Sequence, residues 1–231
     1  MPAAPNITPA LFKFLRDLKK NNSADWFHAH KPDYERHVKA PLLAFIADLQ
    51  PKMAKISPRI RVVPKPVGGS LQRLNRDTRF SADKSPYKTT AGLMFALEGA
   101  GDLMLGYHLT LAPGEVKAYV GLWEPDGPTL NAVRAAILAG PADWKKAASP
   151  AFRAAHILEG ESLKRPPKVD DKPVPEDHPF LDDLKRKSFA AVTTFDEKAA
   201  CAPDFIDRYV EDAKAGVPLM QFLCKATGVK F

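Results

Sequence analysis

Ala91-Gly92-Leu93-Met94-Phe95-Ala96-Leu97-Glu98, Leu103-Met104-Leu105-Gly106-Tyr107-His108-Leu109-Thr110-Leu111 and Glu115-Val116-Lys117-Ala118-Tyr119-Val120-Gly121-Leu122-Trp123 follow one another closely. Only Gly99-Ala100-Gly101-Asp102 and Ala112-Pro113-Gly114 separate them. In the second run Leu103, Leu105, Tyr107, Leu109 and Leu111 occupy alternate positions; in the third Val116, Ala118, Val120 and Leu122 do. Successive side chains of a strand point to opposite faces, so this alternation, broken by short Gly/Pro turns, predicts an antiparallel meander with one buried face. His108 falls on the other face with Met104, Gly106 and Thr110. A lone strand histidine is usually a packing residue. It gains chemical interest if its face looks onto the charged stretch that precedes the meander.

Upstream, Thr8-Pro9 reads as an N-cap followed by proline at the first helical position. Leu11, Phe12, Leu15 and Leu18 then recur at helical spacing until Asn21-Asn22-Ser23. A second helix begins near Pro32, with Tyr34, Val38, Leu42, Phe45 and Leu49 on one face and Pro41 expected to kink or break it. The two should pack as a hairpin. Arg59 to Val63 alternates as a short strand, and Pro64, Pro66, Gly68 and Gly69 form a loop.

Downstream, Pro128 to Leu138 predicts a helix closed by Gly140 and Pro141, and Ser149-Pro150 starts a further helical turn. Residues 159–179 hold five prolines among mixed charges and read as an irregular loop that either packs across the domain or moves. Asp177-His178-Pro179-Phe180 ends it, with His178 as a helix cap. Ser188 to Phe195 predicts one more strand, and residues 204–215 and 219–226 predict C-terminal helices separated by Gly216-Val217-Pro218. The count predicts an α+β fold: an antiparallel meander with an N-terminal helical hairpin and C-terminal helices packed on it, in a single domain over residues 1–231.

The composition, 45% hydrophobic and 26% charged, is that of an ordinary globular protein with ample chain for a core. No stretch reaches the eighteen apolar residues of a membrane span, and Leu11 to Lys20 mixes apolar and charged residues, against a signal peptide. Cys201 and Cys224 lack any metal-like spacing and read as reduced thiols of a cytoplasmic protein. The net charge is +7, yet residues 1–90 carry +10 and the remainder −3. Basic excess in one part of a chain points to an anionic partner, a small molecule or nucleic acid, rather than a membrane.

That excess peaks in Ser70-Leu71-Gln72-Arg73-Leu74-Asn75-Arg76-Asp77-Thr78-Arg79-Phe80-Ser81-Ala82-Asp83-Lys84-Ser85-Pro86-Tyr87-Lys88-Thr89, with five cations against two carboxylates. Arginine forks grip phosphate or carboxylate at two points and lysine adds a point charge, so Arg73, Arg76, Arg79, Lys84 and Lys88 are candidate phosphate ligands. Ser81 is a candidate donor to phosphate oxygens. Tyr87 and Trp26 are candidate stacking faces, as is Phe80. Asp77 and Asp83 are the candidate catalytic groups, as general base or as positioners of a cation, water or hydroxyl; neighbouring arginines lower a carboxyl pKa and favour the positioning role. The competing reading is an internal ion network pinning a loop to the sheet. No acidic cluster supports a metal, and nothing in the sequence names a cofactor.

The run Arg76-Asp77-Thr78-Arg79-Phe80-Ser81 with Asp83-Lys84-Ser85-Pro86-Tyr87-Lys88 resembles a family of uncharacterised bacterial and fungal proteins catalogued as a domain of unknown function. Trp26-Phe27, Lys31, Gly69-Ser70, Gly121-Leu122-Trp123 and His178-Pro179-Phe180 are similar to it as well. The resemblance implies one domain over almost the whole chain. The residues themselves predict binding of a phosphorylated ligand (nucleotide, sugar phosphate or nucleic-acid end) at 70–89, with hydrolytic or transfer chemistry left open. The alternatives are a non-enzymatic adaptor whose basic face meets an acidic protein or nucleic acid, and a charged segment that is purely structural.

Overall fold

The computed structural model describes residues 5–79 and 81–231; Phe80, one of the candidate stacking rings, lies outside them. The N-terminal elements are helices α1 (Pro9–Lys20), α2 (Ala24–Ala29), α3 (Lys31–Tyr34) and α4 (Ala40–Ala54). The helix expected from Pro32 is thus interrupted: a π turn over Glu35–Lys39 carries α3 into α4, and Pro41 follows it directly in the first turn of α4. Helix α2 was not foreseen. Ser23 caps it by accepting from Trp26 N–H at 3.3 Å.

The meander forms as strands β1 (Ala91–Ala96), β2 (Met104–Ala112) and β3 (Glu115–Trp123), followed by α5 (Gly127–Ala139), α6 (Pro141–Ala147), α7 (Pro150–Ala155) and β4 (Ile157–Glu159). Residues 159–179 are less irregular than their prolines suggested. They contain a miniature hairpin, β5 (Lys168–Val169) and β6 (Lys172–Pro173), turned by Asp170 and Asp171 at positive φ, and Val169 and Val174 are buried. Then come α8 (Leu181–Leu184), β7 (Phe189–Phe195), α9 (Glu197–Ala200), α10 (Phe205–Ala215) and α11 (Val217–Thr227). His178 Nδ1 accepts from Phe180 N–H at 3.1 Å, just ahead of α8.

The main sheet runs β1-β2-β3-β7-β4, every pair antiparallel. Arg59–Val63 is not a strand. Arg61 N–H and Glu98 N–H bond across to Ala96 O and Arg59 O, but Ile60 opposite Leu97 is the one bridge there among the described residues, because Ser70 and Gln72 take the next groups of the β1 edge and Val63 bonds to Ser70. The alternating Leu105, Tyr107, Leu109 and Leu111 of β2 and Val116, Ala118, Val120 and Leu122 of β3 are all buried. Helices from both ends of the chain cover this face: Phe45 of α4 and Phe95 of β1 lie 6.4 and 6.1 Å from the Tyr209 ring of α10. The α10–α11 corner comes so near that a Cβ on Gly216 would lie 2.8 Å from both Val120 methyls. The fold is therefore α+β, with its helices on one face of the sheet.

Candidate functional site

The charged stretch folds as a hairpin against the free edge of β1. Gln72 N–H donates to Gly92 O at 2.9 Å and Met94 N–H to Ser70 O at 2.8 Å, which satisfies backbone groups an edge strand would leave open. Residues 74–76 then pair with 86–88: Arg76 N–H donates to Pro86 O, Lys88 N–H to Leu74 O, and Asn75 bridges Tyr87. Of the described residues, 77–79 and 81–85 form the tip. Asn22, from the turn between α1 and α2, clamps the base by bonding both the N–H and the C=O of Tyr87.

The five cations separate into two groups. At the tip, Arg76 pairs with Asp83, and Arg79 forks onto Asp77 through Nε at 3.0 Å and Nη2 at 2.6 Å. Lys84 donates to Thr78 O at 2.9 Å, and Ser81 Oγ accepts from Arg76 at 3.3 Å. The Asp83 carboxyl is held far below the usual range, first by Ser85 and then by Arg76; the Asp77 carboxyl is lowered chiefly by Arg79. Both remain ionised at any physiological pH, which suits anchoring a guanidinium better than taking a proton. At the base, Arg73 and Lys88 form no ion pair with a carboxylate among the described residues.

Arg73 lines a groove of about 340 Å³ between the hairpin base and the helices before α4. His28 of α2, Lys31 of α3 and Lys39 of the π turn line it too, with Tyr34, Asn75 and Tyr87, and no carboxylate does. Lys39 pairs with Glu35 at 2.9 Å; Lys31 has no carboxylate within ion-pair distance among the described residues. Burial pushes the Tyr34 phenol up to about 12, so it stays a hydrogen-bond donor.

The two described stacking candidates are engaged internally. Tyr87 is buried with its ring stacked on Phe27 at 4.2 Å, and Trp26 stacks on His30 at 4.1 Å in a different hollow, away from Arg73. The structure therefore brings Arg73 and Tyr87 to one groove, gathers Arg76, Asp77, Arg79, Ser81, Asp83 and Lys84 at the tip, and leaves Trp26 apart. Lys31 and His28 were not singled out as ligands. Their signal was present, two basic side chains beside Trp26-Phe27, but sequence distance hid their approach to Arg73.

Lys88 belongs to the other side of the hairpin. Its charge, after burial, helps pull His108 down to about 4. Gln72 Oε1 and His108 Nε2 both approach Gly92, so the outer face of the sheet does look onto the charged stretch. Gln72 borders both the basic groove and a hollow on that face.

A family model described as "Conserved hypothetical protein (DUF2461)" matches residues 10–222, and the chain belongs to that family. No curated protein and no solved structure matches the chain. Among the described residues no helix is long and apolar enough to cross a membrane, and no group of three or more His, Cys, Asp or Glu side chains is placed to hold a metal ion.

Proposed function

We propose that this member of the family binds a phosphorylated small molecule in the groove between the hairpin base and the α2–α3 helices. The observation that carries the reading is the lining. His28, Lys31, Lys39 and Arg73 meet there from separate elements with no carboxylate among them. Lys39 is held by Glu35, while Lys31 and Arg73 have no carboxylate at ion-pair distance among the described residues; two such cations brought together repel one another and favour an anion that settles between them. Arg73 supplies a two-point fork, Lys31 a mobile charge, and Tyr34 and Asn75 neutral donors. In this reading Asp77 and Asp83 keep the hairpin tip in shape by holding Arg79 and Arg76. Catalysis is not part of the proposal. The free thiols Cys201 and Cys224 are in keeping with a cytoplasmic setting.

The test is a thermal-shift screen with inorganic phosphate, sugar phosphates, nucleotides and short oligonucleotides. A ligand at a hundredfold excess over its Kd stabilises by about 2.7 kcal/mol, a readily measured rise in Tm. Arg73→Ala should abolish the rise and leave the ligand-free Tm nearly unchanged, because the side chain is exposed. Arg79→Ala, which removes a cation already held by Asp77, should keep it. A flat response across the panel refutes the proposal. A response to oligonucleotides alone, weakening steeply with salt, would assign the adaptor role instead.

A further inference from the structure

The sheet face turned away from the helices carries a second hollow, of about 330 Å³, that the anion site does not use. Three aromatic rings line it from adjacent positions of β2 and β3. His108 and Tyr119, paired across the strands, have centroids 5.8 Å apart and planes inclined at 35°. Trp123 stands edge-on to both, at 67° to Tyr119 and 79° to His108. None of the three pairs is stacked, so their π faces are not consumed on one another.

Two polar side-chain atoms meet in the hollow. Gln72 Oε1 and His108 Nε2 converge over Gly92, where a Cβ would lie 2.4 Å from the first and 3.2 Å from the second. His108 Nε2 is buried and bonds to nothing among the described residues, while Nδ1 lies 3.4 Å from Thr110 Oγ1. With Nδ1–H directed at that hydroxyl, Nε2 offers a lone pair. The carboxylates of Glu124 and Glu159 complete the lining, and no Lys or Arg contributes to it. Lys117 reaches Glu159 at 3.1 Å from outside, leaving Glu124 as the uncompensated charge. Lys88 acts on His108 through space, and burial keeps that imidazole neutral, so it adds no positive charge to the wall.

We propose that this hollow binds an organic cation, an alkylammonium group on a small molecule, held over the Trp123, Tyr119 and His108 rings with Glu124 at its rim. Ring faces carry negative potential and attract ammonium ions, most strongly at Trp. A neutral apolar ligand of the same shape would gain the contact area and forgo the charge.

The experiment titrates the full chain with choline chloride and with its uncharged isostere 3,3-dimethylbutan-1-ol, at matched ionic strength, by calorimetry and tryptophan fluorescence. Choline should bind saturably and about tenfold tighter than the isostere. Trp123→Phe should remove the fluorescence response and weaken binding. Glu124→Gln, an exposed and conservative change, should weaken it severalfold at unchanged Tm. Arg73→Ala should leave choline binding intact, which separates this site from the anion groove. Equal affinity for the isostere, or no saturation by about 50 mM choline, overturns the proposal.

Discussion

Truncating Asn22 should unfasten the charged hairpin. Its carboxamide donates through Nδ2 to Tyr87 O at 2.9 Å and accepts through Oδ1 from Tyr87 N–H at 3.1 Å, imitating a strand neighbour where the hairpin base has none. Asn22→Ala leaves both groups unpaired on a residue only 5% exposed. Each buried orphan costs about 1–3 kcal/mol, and Asn22 is half-buried, so water reaches part of the gap; the loss should be about 2–4 kcal/mol. Urea unfolding with an unchanged m-value measures it. Asn22→Asp sharpens the test, because it keeps the acceptor but sets a carboxylate oxygen against the Tyr87 carbonyl. The fold then disfavours the ionised acid and raises its pKa. Stability relative to wild type should be highest below the unfolded carboxyl pKa of about 3.9, where the protonated acid donates, and fall as pH rises through the folded value. An Ala variant within about 0.5 kcal/mol of wild type, or an Asp variant with no such pH trend, would refute the clamp.

Two further outcomes follow from the titrating groups. The His108 imidazole, followed by NMR, should titrate near 4 and move upward in Lys88→Met, since that charge adds to burial in holding it neutral. The unfolded chain binds a proton there at higher pH than the folded one, so stability relative to His108→Gln should fall as pH drops from about 6.5 toward the folded value. Asp83 is depressed in the fold by Ser85 and Arg76; its contribution is present above the ordinary carboxyl range and lost as pH falls. Asp83→Asn should therefore flatten the acid limb of a urea-midpoint profile, and an unaltered limb would show that the pair contributes nothing.

The meander was legible because period-two burial is local: the alternation in β2 and β3 names the buried face residue by residue, and the observed register keeps it. Arg59–Val63 misled because an alternating pattern says nothing about which segment takes the neighbouring edge, and residues 70–72 take that of β1. The π turn before Pro41 was invisible for a related reason, since the proline announces a disturbance without saying which neighbouring turn absorbs it. At the site, the cations and carboxylates of the tip were legible as a group, and their mutual pairing was the competing reading already open in the sequence. Lys31 beside Arg73, and Gln72 beside His108, depend on contacts between distant segments that no local spacing encodes.

The surplus of positive charge in residues 70–89 is not one reservoir. Arg76 and Arg79 take up the two carboxylates of the stretch, so the excess reduces to Lys84, which rests on the Thr78 carbonyl at the tip, and to Arg73 and Lys88 at the base. The two at the base serve opposite sides of the hairpin: Arg73 borders a groove with basic side chains and no acid, and Lys88 acts on the histidine of a hollow lined by acids and no Lys or Arg. Gln72 borders both environments, whereas Arg73 lines only the groove. A ligand attracted by one lining is repelled by the other, and the hairpin base is the wall between them. Substitutions at Arg73 and at Trp123 should consequently change anion and cation binding separately, whereas loosening the wall at Asn22 should weaken both.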